Sequence, residues 1–123
     1  MKLKTSELTG AALDWAVAKA ADYLSRLGDH WMVTLPGVHV RMNFIPGPRC
    51  AFSPSTRWAQ GGPIVEREKI TLEWTGEDWM AYIRHDEEFF APTPLIAAMR
   101  CFVASRLGDE VNIPEELFEG ESK

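Results

Sequence analysis

The chain of 123 residues, with 46% hydrophobic and 25% charged residues, has the balance of one soluble globular domain with a single core. Its longest apolar stretches are only a few residues, far short of the roughly 20 that cross a bilayer. Met1 to Thr5 begins no signal peptide, so we expect a cytoplasmic protein without membrane contact. The net charge of -5 argues against general nucleic-acid binding, which needs clustered Lys and Arg.

The charges are unevenly distributed. From His30 to Val65 there is no Asp or Glu, whereas the chain average would place about five there. The same stretch holds Arg41, Arg49 and Arg57. Either the stretch lacks acidic residues by chance, or it forms a locally positive surface that attracts an anionic small molecule or an acidic protein patch.

The first predicted element is a helix. Thr5 or Ser6 can cap it, apolar residues recur at spacings of three and four from Leu8 to Leu24, and Gly28 ends it. Trp15 lies off the centre of the apolar stripe. It is therefore either a residue at the edge of the core or a partly exposed contact residue.

Two strands are predicted next, in "HWMVTL" and "VHVRMNF", joined by a tight turn at Pro36-Gly37. In the second strand, apolar residues alternate with His39, Arg41 and Asn43. These three side chains share one face, which is either an ordinary solvent-facing side or part of a polar binding surface. The proline-rich "IPGPRCAFSPS" that follows is predicted to be a loop.

The stretch "PSTRWAQGGPIVERE" is predicted to begin the second helix, with Ser55 or Thr56 as its cap. Gly61-Gly62-Pro63 is unfavourable inside a continuous helix, because glycine loses backbone entropy and proline lacks the amide hydrogen. Either the helix begins near Gly62, or a short turn over 56–60 leads into it with a kink. Both alternatives predict free backbone amides between Thr56 and Ile64.

The remaining sequence predicts a hairpin in "ITLEWTGEDWMAYI", a third helix capped by Thr93 and closed by Gly108, and a short strand over 111–113. The expected fold is α+β, with three helices packed on a mainly antiparallel sheet of four to five strands. Residues 1–114 are expected to form the single domain, and residues 115–123 an acidic, frayed tail.

The sequence predicts no catalytic residue, metal or cofactor. It contains no H-E-x-x-H, paired C-x-x-C, P-loop or Gly-x-Ser-x-Gly motif, and its three histidines lack ligand spacing. Cys50 and Cys101 are expected to be free thiols, since intracellular proteins rarely form disulfides. We therefore expect a protein that is not an enzyme.

The best candidate site is the entrance to the second helix. Its hydroxyl, amide, guanidinium and indole groups suit an anion or nucleotide pocket. The alternative is a capped helix whose Trp58 anchors the loop onto the core. The predicted ligand-binding residues are Ser55, Thr56, Arg57, Trp58, Gln60, Gly61 and Gly62, with Arg41 and Arg49 adding positive charge.

Three stretches, "MKLKTSELTGAALDWAVAKA", "PSTRWAQGGPIVERE" and "TPLIAAMRCFVASRLGDEVNIPEEL", resemble the phage protein NinX family over nearly the whole chain. In that family a short polar residue usually follows "PST", where this chain has Arg57. The layout is also similar to the phage α-β-α sandwich domain. The resemblance implies phage origin and an accessory gene, without an established activity.

Three hypotheses follow from the residues and the resemblance. The first is a non-enzymatic binder, assembled as a homo-oligomer, that sequesters a nucleotide-derived signal of host immunity and so acts in counter-defence. The second is a protein-interaction module that inhibits or redirects a host or phage protein, with exposed Trp31, Trp58 or Trp79 as anchors. The third, an enzyme, has no motif in its support.

Overall fold

The computed structural model describes residues 1–36, 40–47 and 50–117. Short 3-10 helices cover Thr5–Glu7 and Glu115–Leu117, and the described chain otherwise contains three α-helices and eight strands. In chain order these are β1 (Lys2–Lys4), α1 (Gly10–Ala20), β2 (Leu24–Leu27), β3 (His30–Leu35), β4 (Val40–Phe44), α2 (Trp58–Glu68), β5 (Thr71–Trp74), β6 (Trp79–Tyr82), β7 (Glu88–Ala91), α3 (Pro94–Leu107) and β8 (Glu110–Asn112).

The α+β class is confirmed, but the strands do not form the single sheet that was predicted. They pair in three small antiparallel sheets, ordered β1-β8, β2-β3-β4 and β5-β6-β7. The β2-β3-β4 and β5-β6-β7 sheets are local meanders, and the β1-β8 sheet pairs strands near the two ends of the chain. The segments that link one sheet to another contain the three helices. Separate sheets of two or three strands need helices to cover them, because so few strands bury little apolar surface on their own.

The predicted extent of the first helix is wrong at both ends. Thr9 is its N-cap residue, and the helix ends at Ala20. Asp22 follows with a left-handed backbone (φ 64°), and Leu24 then pairs with Val33 in the β2-β3 hairpin. Leu24 fits the spacing of an apolar helix face equally well, so the strand pairing and not the local pattern decides its conformation.

The second helix is continuous from Trp58 to Glu68, with Pro63 inside it. Arg57 is the N-cap residue and makes no side-chain capping bond, so the predicted caps at Ser55 and Thr56 are wrong. The amides of Thr56 and Arg57 donate to the Ser53 carbonyl, and those of Gln60 and Gly61 donate to the Arg57 carbonyl. These four backbone amides are therefore not free for a ligand, contrary to the expectation for this segment.

The third helix follows its prediction closely. The Thr93 hydroxyl accepts a hydrogen bond from the Ile96 amide at 3.2 Å, Pro94 occupies the first turn, and Gly108 ends the helix with a positive φ of 92°. α3 lies at the centre of the fold, where it contacts α1, α2 and the β5-β6-β7 sheet. Its fully buried side chains include Met99, Phe102 and Val103.

The buried Arg100 of α3 joins segments that are distant in sequence. Its Nε donates to the Leu8 carbonyl at 2.8 Å and one terminal nitrogen donates to the Phe90 carbonyl at 2.7 Å. Burial lowers the pKa of this guanidinium from its ordinary value. Arg100 thus fixes α3 against both the segment before α1 and strand β7, which the sequence did not predict.

The hairpin of β5 and β6 is confirmed, with the Thr75 hydroxyl bonded to Asp78 across the turn. Cys50 and Cys101 are both buried free thiols. Within the part of the chain that the structure describes, no helix has the length and apolar character needed to cross a membrane.

Candidate functional site

The loop before α2 is held by hydrogen bonds from side chains of the loop and of α2. Gln60 Oε1 accepts from the Ser53 amide, and its Nε2 donates to the Ala51 carbonyl at 2.7 Å. The Ser53 hydroxyl donates to the Cys50 carbonyl at 2.7 Å. Both the oxygen and the nitrogen of the Gln60 side-chain amide therefore bond to backbone groups of the loop. The Gln60 side chain stabilises the loop.

Ser55 is buried against α1 and does not face solvent. Its amide donates to Oδ1 of Asp14 at 2.9 Å, and its Oγ has no hydrogen-bond partner within the described residues. Burial raises the pKa of the Asp14 carboxyl from 3.8 to about 6, and the hydrogen bond from the Ser55 amide opposes this rise only in part. Sequence reasoning missed Asp14, because an isolated acid in an apolar helix pattern carries no local signal of its partner.

Thr56, Arg57 and Trp58 are consecutive exposed residues at the entrance to α2. Trp58 is 53% exposed, which differs from an anchor packed on the core. The Arg57 guanidinium makes a long hydrogen bond of 3.5 Å to the Cys50 carbonyl. Among the described residues it forms no ion pair. We call these three residues the Arg57–Trp58 surface.

The two glycines of α2 have different surroundings. A Cβ on Gly61 would overlap the Pro54 carbonyl oxygen and come within 2.7 Å of Leu95 Cδ2. A Cβ on Gly62 would meet only the Trp58 ring, at 3.8 Å. Gly61 is therefore required for the close approach of α2 to the loop and to α3, and Gly62 remains next to the exposed indole.

The predicted basic residues outside this segment are only partly described. Arg41 is exposed on β4, as is Asn43, which agrees with the predicted polar face. Arg49 and His39 lie outside the described residues. The structure thus keeps Thr56, Arg57 and Trp58 together on the surface, places Ser55 and Gly61 in the interior, and leaves Gln60 half-buried between them.

A cavity of about 430 Å³ lies beside α2, on the side of Ala59 and Pro63. Its walls are largely apolar, with Phe52 and Ile64 among them. Arg67 and Tyr23 both line the cavity, and the Arg67 guanidinium donates to the Tyr23 hydroxyl at 3.1 Å. Neither Arg57 nor Trp58 lines this cavity.

A larger cleft, of about 470 Å³, lies between α1, the β2-β3 hairpin and the residues that follow β8. The indoles of Trp15 and Trp31 meet here edge to face, with ring centroids 5.4 Å apart. We call it the two-tryptophan cleft. Its other lining residues are Met1, Lys19, Asp22, Leu24, Asn112, Ile113, Pro114 and Glu115.

Trp31 is held in place by charged neighbours. Its Nε1 donates to Glu116 Oε1 at 2.8 Å, and the same oxygen accepts from Arg26 at 2.9 Å. These hydrogen bonds, first that from Arg26 and then that from Trp31, lower the pKa of Glu116. The guanidinium of Arg26 also lies over the Trp31 ring, 4.5 Å from its centroid.

Sequence reasoning missed the two-tryptophan cleft because its residues come from both ends of the chain. The antiparallel pairing of β1 with β8 brings them together, with the Met1 amino group donating to Asn112 Oδ1 at 3.1 Å. The only sign of this cleft in the sequence was Trp15, because its position beside the apolar stripe of the helix fits a contact residue. Trp15 is in fact 3% exposed.

Comparison with known proteins agrees with the sequence motifs. A search of curated proteins gave no significant match. The family model described as "Bacteriophage P22, NinX" matches residues 4–106, which cover α1, α2, almost all of α3 and the strands between them. Because this match extends over most of the chain, the protein belongs to the phage NinX family.

Proposed function

We propose that this phage accessory protein is a non-enzymatic binding protein that acts inside the infected bacterial cell and captures an anionic, nucleotide-derived small molecule. The observation that carries the proposal is the Arg57–Trp58 surface, where an exposed indole adjoins a guanidinium that has no carboxylate partner among the described residues. Arg57 would pair with a phosphate group, and Trp58 would stack on the base.

In this proposal, the Arg57 and Trp58 side chains make the main contacts with the ligand. Because the Arg57 amide donates to the Ser53 carbonyl, and the Gln60 and Gly61 amides donate to the Arg57 carbonyl, these three amides do not contribute a phosphate cradle. A surface with one cation and one ring binds a ligand less tightly than an enclosed pocket does. A homo-oligomer, in which a second copy adds contacts around the same surface, would enclose the ligand further. Such capture would serve counter-defence by lowering the free concentration of a nucleotide signal of host immunity.

The test is thermal and chemical unfolding of the purified protein with a panel of linear and cyclic nucleotides. A ligand present at 100 times its dissociation constant adds about 2.7 kcal/mol to the free energy of unfolding. We expect at least one nucleotide to stabilise the protein to this extent and to be recovered intact after denaturation. Light scattering with and without that nucleotide measures the number of subunits.

Matched variants locate the effect. Arg57→Gln and Trp58→Ala should each weaken nucleotide binding by roughly tenfold or more, since they remove a charge-assisted hydrogen bond and a stacking platform. Arg84→Gln and Trp74→Ala change exposed residues elsewhere and should leave affinity unchanged. Equal loss in both pairs of variants, or no stabilisation by any nucleotide, contradicts the proposal.

A second candidate function is a protein-interaction module that inhibits or redirects a host or phage protein. The observation in its favour is the exposure of large apolar side chains on the β5-β6-β7 sheet, with Trp74 56% and Phe90 46% exposed. Exposed aromatic residues are typical anchors of protein interfaces.

Photo-crosslinking during infection tests this second function. A crosslinking amino acid at position 74 or 90 should capture one defined protein, whereas the same amino acid at Asp29, in the exposed β2-β3 turn, should not. The same products from all three positions would contradict an interface on this sheet.

A further inference from the structure

We propose that the cavity beside α2 is a second binding site, separate from the Arg57–Trp58 surface, which takes a small monocarboxylic acid with an apolar body. We call it the α2 cavity. Its volume of about 430 Å³ lies within the range of cavities that hold small ligands. An apolar body in this space would leave water together with the walls, because six of the nine lining residues have apolar side chains: Leu35, Pro36, Phe52, Ala59, Pro63 and Ile64.

The α2 cavity is open to solvent at one side. Ala59 and Pro63 are exposed and lie one turn apart on α2, and Tyr23 is half-buried. Phe52 and Ile64 are almost fully buried, so the cavity extends from the surface towards the core. A ligand can therefore reach apolar walls without displacing a core side chain.

The charge of the lining favours an anion. Arg67 is the one charged residue that lines the α2 cavity within the described part of the chain. Seven of the nine lining residues come from the stretch His30 to Val65, which contains no Asp or Glu. The stretch without acidic residues thus forms most of a cavity wall, and its one neighbouring cation attracts a negatively charged group.

Two lining residues keep hydrogen-bond donors for a ligand. Arg67 donates from Nε to Glu68 at 2.9 Å and from one terminal nitrogen to the Tyr23 hydroxyl at 3.1 Å. Among the described residues, its other terminal nitrogen and the Tyr23 O–H group donate to no acceptor. The Arg67 side chain is 46% exposed and Tyr23 is half-buried, so a ligand can reach both residues.

The surroundings of Arg67 favour a single negative charge. Glu68 Oε2 lies 2.9 Å from Arg67 and 3.2 Å from Arg106, so two guanidinium groups share one carboxylate. One positive charge is left over, which a ligand carboxylate would neutralise while it pairs with the planar guanidinium. A nucleotide fits this cavity less well, because its polar sugar would lose hydration against apolar walls.

The first experiment is isothermal titration calorimetry of the full chain with octanoate and phenylacetate, and with the neutral 1-octanol and phenylacetamide for comparison. We expect at least one acid to bind, and its neutral counterpart to bind at least tenfold more weakly, since it lacks the charge-assisted hydrogen bond. The two acids distinguish an aliphatic from an aromatic body. No binding by either acid, or equal binding of the acid and its neutral counterpart, would overturn the proposal.

A matched pair of variants locates the charge that binds the acid. Arg67→Gln should weaken acid binding by roughly tenfold or more. Arg106→Gln is the control, because Arg106 pairs with the same Glu68 and lies over the same Phe102 ring but does not line the cavity. It should leave affinity within about twofold. Equal losses in the two variants would contradict the assignment to Arg67.

A further measurement needs no variant. In two-dimensional NMR spectra of the wild-type protein, a bound acid should shift the methyl signals of Ala59 and Ile64, and those of Leu27 and Ile83, which are exposed elsewhere, should stay in place. Equal shifts at all four residues, or shifts at Leu27 and Ile83 alone, would indicate non-specific adsorption and overturn the proposal. Because Trp58 does not line the cavity, Trp58→Ala should weaken nucleotide binding only, so the two proposals can fail separately.

Discussion

Replacing Gly61 with alanine is expected to lower the free energy of unfolding by about 3 kcal/mol, the upper range for an overpacked interior. The added methyl group would overlap the Pro54 carbonyl oxygen and approach Leu95 Cδ2 to 2.7 Å. The first of these neighbours is backbone and Leu95 is 3% exposed, so we expect the extra methyl group to push α2 away from the loop and α3. Equilibrium urea unfolding of wild type and variant measures the difference.

Gly62→Ala is the matched control for Gly61→Ala, because it makes the same chemical change one residue later in the same helix. The nearest atom to its Cβ would be Trp58 Cε3, at an ordinary contact distance of 3.8 Å. Alanine is also the better helix former, so we expect a gain of about 0.5 to 1 kcal/mol. Equal effects of the two substitutions would show that the packing around Gly61 is not as described.

Replacing Asp14 with asparagine is expected to stabilise the protein increasingly as the pH rises from about 4 to 7. The pKa of the buried carboxyl is about 6 in the folded protein, against an ordinary value of 3.8. At about 1.4 kcal/mol per pKa unit, ionisation of Asp14 costs the folded state about 3 kcal/mol at neutral pH. Asparagine keeps an acceptor oxygen for the Ser55 amide without bearing the charge.

The sign of the pH dependence follows from proton binding. Between pH 3.8 and about 6 the folded protein holds the Asp14 proton more tightly than the unfolded chain does, so the contribution of this group to stability falls as the pH rises. The stability difference between Asp14→Asn and wild type should therefore be small near pH 4 and reach its full size above pH 6. A difference that stays constant over this range would contradict a raised pKa for Asp14.

The structural elements that could be predicted from the sequence are those with strong local signals. Thr93 and Pro94 mark the start of α3, and the Thr75 to Asp78 turn defines the β5-β6 hairpin. The end of α1 could not be predicted, because the spacing of Leu24 fits both a helix and the strand that pairs with β3. Likewise, the continuous α2 keeps Pro63 because tertiary packing overrides its low helix propensity.

The candidate site was predictable only where its residues are consecutive. Arg57 and Trp58 are exposed neighbours, and one stretch of sequence was enough to single them out. The buried Ser55 bonds through its amide to Asp14, which lies 41 positions earlier, and no pattern in either segment reveals the other. The two-tryptophan cleft depends in the same way on the pairing of chain ends.

The division of the strands into three sheets affects the local unfolding of the protein. α3 joins α1, α2 and the β5-β6-β7 sheet into one unit, whereas the β2-β3-β4 sheet makes most of its contacts within itself. Such a sheet can detach in a local unfolding event while the rest stays native. Trp31 would then leave Trp15, and the indole of Trp15, which is 3% exposed in the closed fold, would become accessible to solvent.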